Sequence, residues 1–170
     1  MDDVSLSTLA NLAEIVGAGS IVTGLIFGWF QIRYFKTQQR DAIAINLAQT
    51  FYNHDLANAL TLLQPIPDGV TVAELREMGN EYVNAAITVT TSFETMGLLV
   101  FKRVATLELV LDLAGGIVST MNRKLRTWSQ EIREDQDQPS WGEWFEWLGD
   151  QAEKRKRSDI PAHIKYRDWK

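Results

Sequence analysis

The chain has 170 residues, with 22 acidic against 17 basic side chains, a net charge of −5 and no cysteine. That balance leaves no global basic field for a nucleic acid to read. The missing thiols exclude disulfides, cysteine zinc sites and a thiol nucleophile, and agree with a reducing compartment.

Residues 1–14 read as a short acidic lead. Asp2, Asp3 and Ser5 or Ser7 are N-cap candidates there, suited to the positive end of a helix dipole. Residues 15–35, IVGAGSIVTGLIFGWFQIRYF, are the one segment expected to cross a bilayer. A helix rises about 1.5 Å per residue, so a hydrocarbon core of about 30 Å needs roughly 20 apolar residues. No charge falls between Ile15 and Ile32, and Ser20 and Thr23 can return their hydroxyls to helix carbonyls. Trp29, Phe30, Tyr34 and Phe35 gather where an aromatic belt would lie. A secretory signal peptide is disfavoured, because the lead carries Asp2, Asp3 and Glu14 without Lys or Arg. Arg33, Lys36 and Arg40 follow the apolar run directly. The positive-inside bias then puts the lead outside the cell and the rest of the chain in the cytoplasm, a single pass through an inner membrane. Ser20, Gly24 and Gly28 recur every four residues, forming a ridge that lets another helix approach closely, its own copy or a partner's.

Residues 36–135 predict a cytoplasmic helical bundle, so the fold class is all-α: one N-terminal transmembrane helix continuing into a bundle. No Gly or Pro interrupts residues 36–63, and Ile43, Leu47 and Phe51 continue a helical stripe. Asn53-His54-Asp55 is the expected interruption, and residues 64–69 (QPIPDG) are the strongest turn signal. Thr71 and Glu74 form a capping box for a helix expected to run to Arg103. Its apolar run resembles a second span, but Asn84, Glu94 and several hydroxyls favour a buried core helix. Thr106 caps a short helix, Gly115-Gly116 marks a break or a tight packing point, and Ile117, Met121, Leu125, Trp128 and Ile132 carry the next helix. Ser140 is the expected N-cap of a Trp-rich helix ending near residue 157. A charged tail, residues 158–170, shows little periodicity.

No catalytic or metal-binding motif stands out. His54 and His163 are the only histidines and lie far apart in sequence. Glu94, in the run FETMGLLV, is the candidate buried acid, with a structural ion pair or hydrogen bond inside the bundle as its expected role, Lys102, Arg103 and Arg126 being the candidate partners. Glu108 and Asp112 stand one helical turn apart, a spacing that more often makes a solvated face than a metal site. Trp141, Trp144, Phe145 and Leu148 share one helical face and are the candidates for docking on the bundle or on a partner protein. Residues 131–150 carry a net charge of −6 and residues 151–170 a net charge of +4, with the basic run at residues 154–157.

The layout resembles a bacterial family of uncharacterised, small, single-span membrane proteins with a cytoplasmic helical domain. The likeness runs over most of residues 10–150. It rests on the apolar N-terminal helix, the basic exit from Arg33 to Arg40, the segment Phe93-Glu94-x-x-Gly97-Leu98-Leu99-Val100, Trp128, and Trp144, Phe145 and Leu148. It implies topology and adds no mechanism. The expectation is a non-enzymatic accessory or scaffold subunit of an inner-membrane complex, photosynthetic or respiratory complexes being examples. It would need no cofactor and would bind membrane-protein subunits, its own copy and the bilayer, not nucleic acid. The alternative is a membrane-tethered sensor or effector, in stress or phage defence, acting by oligomerisation.

Overall fold

The computed structural model describes residues 6–51 and 53–169, and among these every regular element is helical. Asp2, Asp3 and Ser5 lie outside the described residues. Helix α1 runs unbroken over Leu6–Phe51, as the absence of any strong breaker predicts. The chain divides into two units, residues 1–42 and 43–170.

The first unit is helical from Leu6. Its apolar window, Leu9–Phe35, spans 27 residues and none of it is buried. At about 1.5 Å per residue the window rises about 40 Å, more than a hydrocarbon core requires. Ser20 donates its hydroxyl to the Val16 carbonyl and Thr23 to that of Gly19, both at 2.8 Å. These two hydroxyls are thus satisfied without an outside partner. Near the end of the window the Arg33 guanidinium stands 5.5 Å from the Trp29 ring centre, a cation–π distance.

The second unit packs the remaining helices around one core. It contains α2 (His54–Leu63), α3 (Val72–Met78), α4 (Asn80–Phe101), α5 (Leu107–Asp135), α6 (Glu143–Ser158) and the single turn α7 (Ala162–Lys165). Ile43, at the end of α1, packs against this core, while the side chains of Leu47 and Phe51 lie outside the description. Helix α4 runs through the middle, against α2 and α6 and more lightly against α3 and α5, while α5 also packs along α6. Val89, Phe93, Met96 and Val100 recur every three or four residues along α4 and are buried, the period that keeps one helix face inward. The apolar run of α4 is therefore a core helix, 44% of it buried.

Local chemistry sets the ends of these helices. Asn53 starts α2 by accepting the Asp55 N–H at 2.9 Å. The Thr71–Glu74 capping box starts α3 as expected, with both reciprocal bonds made. The first N–H beyond it, on Val72, goes to Glu131 of α5 at 2.6 Å. Thr106 caps α5 through the Leu109 N–H. Helix α4 closes with Arg103 in the left-handed region, φ +57°. The Val104 and Arg103 amides return to the Leu99 and Val100 carbonyls, the bonding of a Schellman stop.

Three expectations change. The helix expected from residue 71 to 103 is broken at Gly79, whose φ of +125° is one L side chains rarely adopt. Gly115 and Gly116 neither break nor tighten α5: a methyl on Gly116 would meet nothing within 4 Å, and one on Gly115 only its own helix's Leu111. Helix α6 begins three residues after Ser140, at Glu143, behind a left-handed Gly142 that gives it no side-chain cap.

Gly97 and Gly116 therefore respond oppositely to alanine. A Cβ on Gly97 would stand 2.8 Å from the Trp144 carbonyl carbon and nearer still to its oxygen, where only backbone can give way. We expect Gly97→Ala to destabilise the bundle by about 1–3 kcal/mol through overpacking. Gly116→Ala should stabilise it by about 0.5–1 kcal/mol through helix propensity alone. Urea unfolding of the full-length protein followed by circular dichroism reads both signs.

Candidate functional site

The site with the most converging chemistry is the seat of α6 on α4. Gly97 lets the α6 backbone come down on α4 at Trp144. One turn earlier on the same α4 face, the Glu94 carboxylate accepts the Phe145 N–H at 2.8 Å. The Trp144 amide also bonds to it. Glu94 thus caps from another helix the start that Gly142 leaves uncapped. The hydrogen bond expected inside the bundle is thus made, to backbone amides of α6 and not to Lys102, Arg103 or Arg126. Burial holds its carboxyl above the ordinary carboxylate range. The two amides pull it down, the nearby Glu143 charge pushes it up and Arg133 pulls it down again.

Arg133 of α5 closes the corner. Its Nε donates to the Trp141 carbonyl at 2.6 Å and its Nη1 pairs with Glu146 at 2.6 Å. Arg126 holds the other Glu146 oxygen at 3.0 Å. Thr90 Oγ1 and Arg133 Nη2 are buried here and have no hydrogen-bond partner among the described residues.

The aromatic candidates divide. Phe145 and Leu148 are 2% and 0% exposed inside the chain's own core, so they are not offered to a partner. The Phe145 ring centre lies 5.4 Å from that of Phe93. Trp141, half-buried, meets the buried Trp128 edge-on at 5.1 Å. Trp144, also half-buried, lies on Phe101 at 4.3 Å and meets Trp147 at 6.2 Å. The face expected to dock on the bundle or on a partner is thus largely spent on the bundle.

The other candidates do not converge. Asp112 pairs with Arg155 of α6 at 2.5 Å, while Glu108 contributes its backbone carbonyl to the same guanidinium at 3.2 Å. An open groove of about 510 Å³ lies beside them, lined by Leu107, Glu108, Leu111, Gln151 and Lys154, with its Arg155 already paired. No three metal-ligating side chains cluster among the described residues. His54 and His163 are exposed on α2 and α7. Ser20, Gly24 and Gly28 lie in the first unit, and a methyl on either glycine would meet nothing within 4 Å.

Sequence reasoning missed four contributors. Gly97 stands three residues after Glu94, on the face that carries Phe93, and that spacing is the signal for a close crossing. Gly149 seats α6 on α5, where an added Cβ would strike the Asn122 side chain. Glu131 had no signal, because its partner is a backbone amide 59 residues away, and Arg133 had none because it bridges the Trp141 carbonyl and the Glu146 carboxylate across the α5–α6 loop.

A family model for a domain of unknown function, DUF4760, matches residues 18–151. The chain belongs to the DUF4760 family. No curated protein and no solved structure matches it. The DUF4760 match begins inside the apolar window and ends inside α6, so the ridge and the seat of α6 both fall within the family's domain. Residues 152–170 fall outside it.

Two substitutions separate the capping role of Glu94 from its charge. Its folded carboxyl holds a proton more tightly than an unfolded one, so its ionisation costs the fold stability as pH rises through the raised value. Glu94→Gln keeps an acceptor for the α6 amides and removes that charge. It should equal or exceed the native protein in stability near pH 7, and lose that advantage near pH 4. Glu94→Ala leaves the amides orphaned and should cost about 1–2 kcal/mol at both pH values. Thermal unfolding of the full-length protein at the two pH values checks this. A Gln variant as unstable as the Ala variant would show that charge, not acceptance, holds α6.

Proposed function

We propose that this DUF4760 protein is a non-catalytic accessory or scaffold subunit of an inner-membrane protein assembly. In this reading residues 15–35 cross the bilayer, the lead of residues 1–14 lies outside and the bundle lies in the cytoplasm. The observation that carries it is the contrast between two apolar helices of one chain. In α4, 44% of the apolar window is buried, and in Leu9–Phe35 none is. An apolar surface of that length needs a cover, and a bilayer supplies one at the matching thickness. The cluster Arg33, Lys36 and Arg40 on one side supports the orientation. The open Ser20–Gly24–Gly28 ridge supports helix association, because lipid offers no hydrophobic drive and close backbone approach must supply the attraction. The engagement of Glu94 by backbone amides favours a structural over a catalytic use of that acid.

The test is native purification from membranes in mild detergent, with mass spectrometry of whatever accompanies the chain. We expect stable partners or a homo-oligomer, and Gly24→Leu with Gly28→Leu should abolish that assembly while membrane insertion survives. Single cysteines placed near residue 10 and residue 160 of this cysteine-free chain report orientation through a membrane-impermeant maleimide: only the first should react in intact cells. A monomer that brings nothing with it sinks the scaffold reading, and unchanged assembly of the double variant reduces the ridge to a plain anchor.

A further inference from the structure

The C-terminal stretch contributes nothing to the core. Every residue from 159 to 169 is exposed. Within it Ile160, Ile164, Tyr166 and Trp169 are 62, 55, 50 and 80% exposed. Four large apolar side chains in ten residues make an apolar surface of the kind that marks a contact. They are interleaved or flanked by Lys154, Lys156, Arg157, Lys165, Arg167 and Lys170, against only Asp159 and Asp168. Asp159 is already held by Arg155 at 3.2 Å. The Tyr166 and Trp169 rings meet edge-on at 5.7 Å, and the Lys165 ammonium stands 5.3 Å from the Tyr166 ring centre.

We propose that residues 154–170 form a second membrane contact, an interfacial patch that takes anionic phospholipid headgroups. Lys and Arg with Trp, Tyr and Ile on one short segment is the chemistry that lies at a headgroup boundary, the cations on phosphate and the rings at the acyl edge. A second copy of the chain is the competing occupant, through the acidic stretch 131–150. Three of its seven acids are already engaged: Glu131 by the Val72 amide, Glu146 by Arg126 and Arg133, and Asp150 by Arg126. The proposal rests on residues 15–35 spanning the bilayer, since the tether gives the tail a high effective concentration at a charged leaflet.

The chain has no cysteine, so Ile164→Cys carries a single nitroxide in the full-length protein. The labelled chain is reconstituted in vesicles of phosphatidylcholine alone and in vesicles with added phosphatidylserine. On the anionic vesicles the label's exposure to a water-soluble relaxant should fall at least about threefold, given the attraction each basic residue contributes near such a surface. Changing Lys154, Lys156, Arg157 and Lys165 together to Gln should abolish the fall, and these exposed positions leave the core untouched. A label equally wet on both vesicles, or a fall that survives the charge removal, overturns the lipid contact. Equal protection in neutral detergent at high protein concentration assigns the segment to protein instead. Flotation of the same samples separates the two readings. A chain that does not float with neutral vesicles refutes the span, whereas a floating chain with an unprotected label refutes only the tail contact.

Discussion

The bundle depends on how closely α6 can approach α4. At Gly97 there is no side chain, and the carbonyl of Trp144 occupies the space a methyl would need. That single contact sets the register of everything around it. With Trp144 seated on Gly97, the first amides of α6 reach Glu94 and the Phe145 ring reaches Phe93. Trp144 itself is carried onto Phe101. A second small residue fixes the other side, where Gly149 lies against Asn122 of α5. Helix α6 is therefore placed from two directions by the absence of side chains, and aromatic packing fills the space that remains.

Helix starts are completed by acids from other helices. Glu131 of α5 takes the Val72 amide of α3, and Glu94 of α4 takes the Phe145 amide of α6. In each case a long helix supplies the acceptor that a short one lacks, so the end of the short helix is tied to the body of the long one. This makes the α6 start cooperative with the α4–α6 interface: losing the packing also orphans the amides. It also explains a raised carboxyl in an apolar helix without any reaction. Burial raises the Glu94 carboxyl, and the amides return only part of that shift. A perturbed acid marks a place where the fold opposes ionisation, and here the opposing need is a cap.

The features legible in the residues were those decided within a few positions. The Thr71–Glu74 box, the Asn53 and Thr106 caps and the unbroken course of α1 all follow from neighbours in sequence. The break at Gly79 was hidden because Met78 and Tyr82 keep the helical period across it, while the deciding property is a positive φ. Gly115-Gly116 misled in the other direction, since low helix propensity is overridden where α5 packs along α6. Of the candidate site, the aromatic face could be read as a face, but periodicity cannot say whose surface covers it. Phe145 and Leu148 are taken by the chain's own core. The partner of Glu94 was invisible because an amide hydrogen has no letter in the sequence.

The same reasoning bears on the two apolar helices, which length and composition barely separate. Both satisfy several hydroxyls locally: Thr88, Thr91 and Thr95 of α4 donate to carbonyls one turn back, as Ser20 and Thr23 do in α1. Those residues are therefore silent about environment. What distinguishes α4 is a group it cannot satisfy alone, the Glu94 carboxylate, which needs donors from another element and finds them in α6. The Leu9–Phe35 window carries no charge between Ile15 and Ile32, where Gln31 is the one strongly polar side chain. Its apolar surface is uncovered within the chain, and along Ser20, Gly24 and Gly28 a cover can come close to the backbone. A helix whose polar groups require protein is drawn into a bundle. The Leu9–Phe35 window makes no charged demand of that kind from Ile15 to Ile32, and its length and apolar composition leave it the candidate span of the chain.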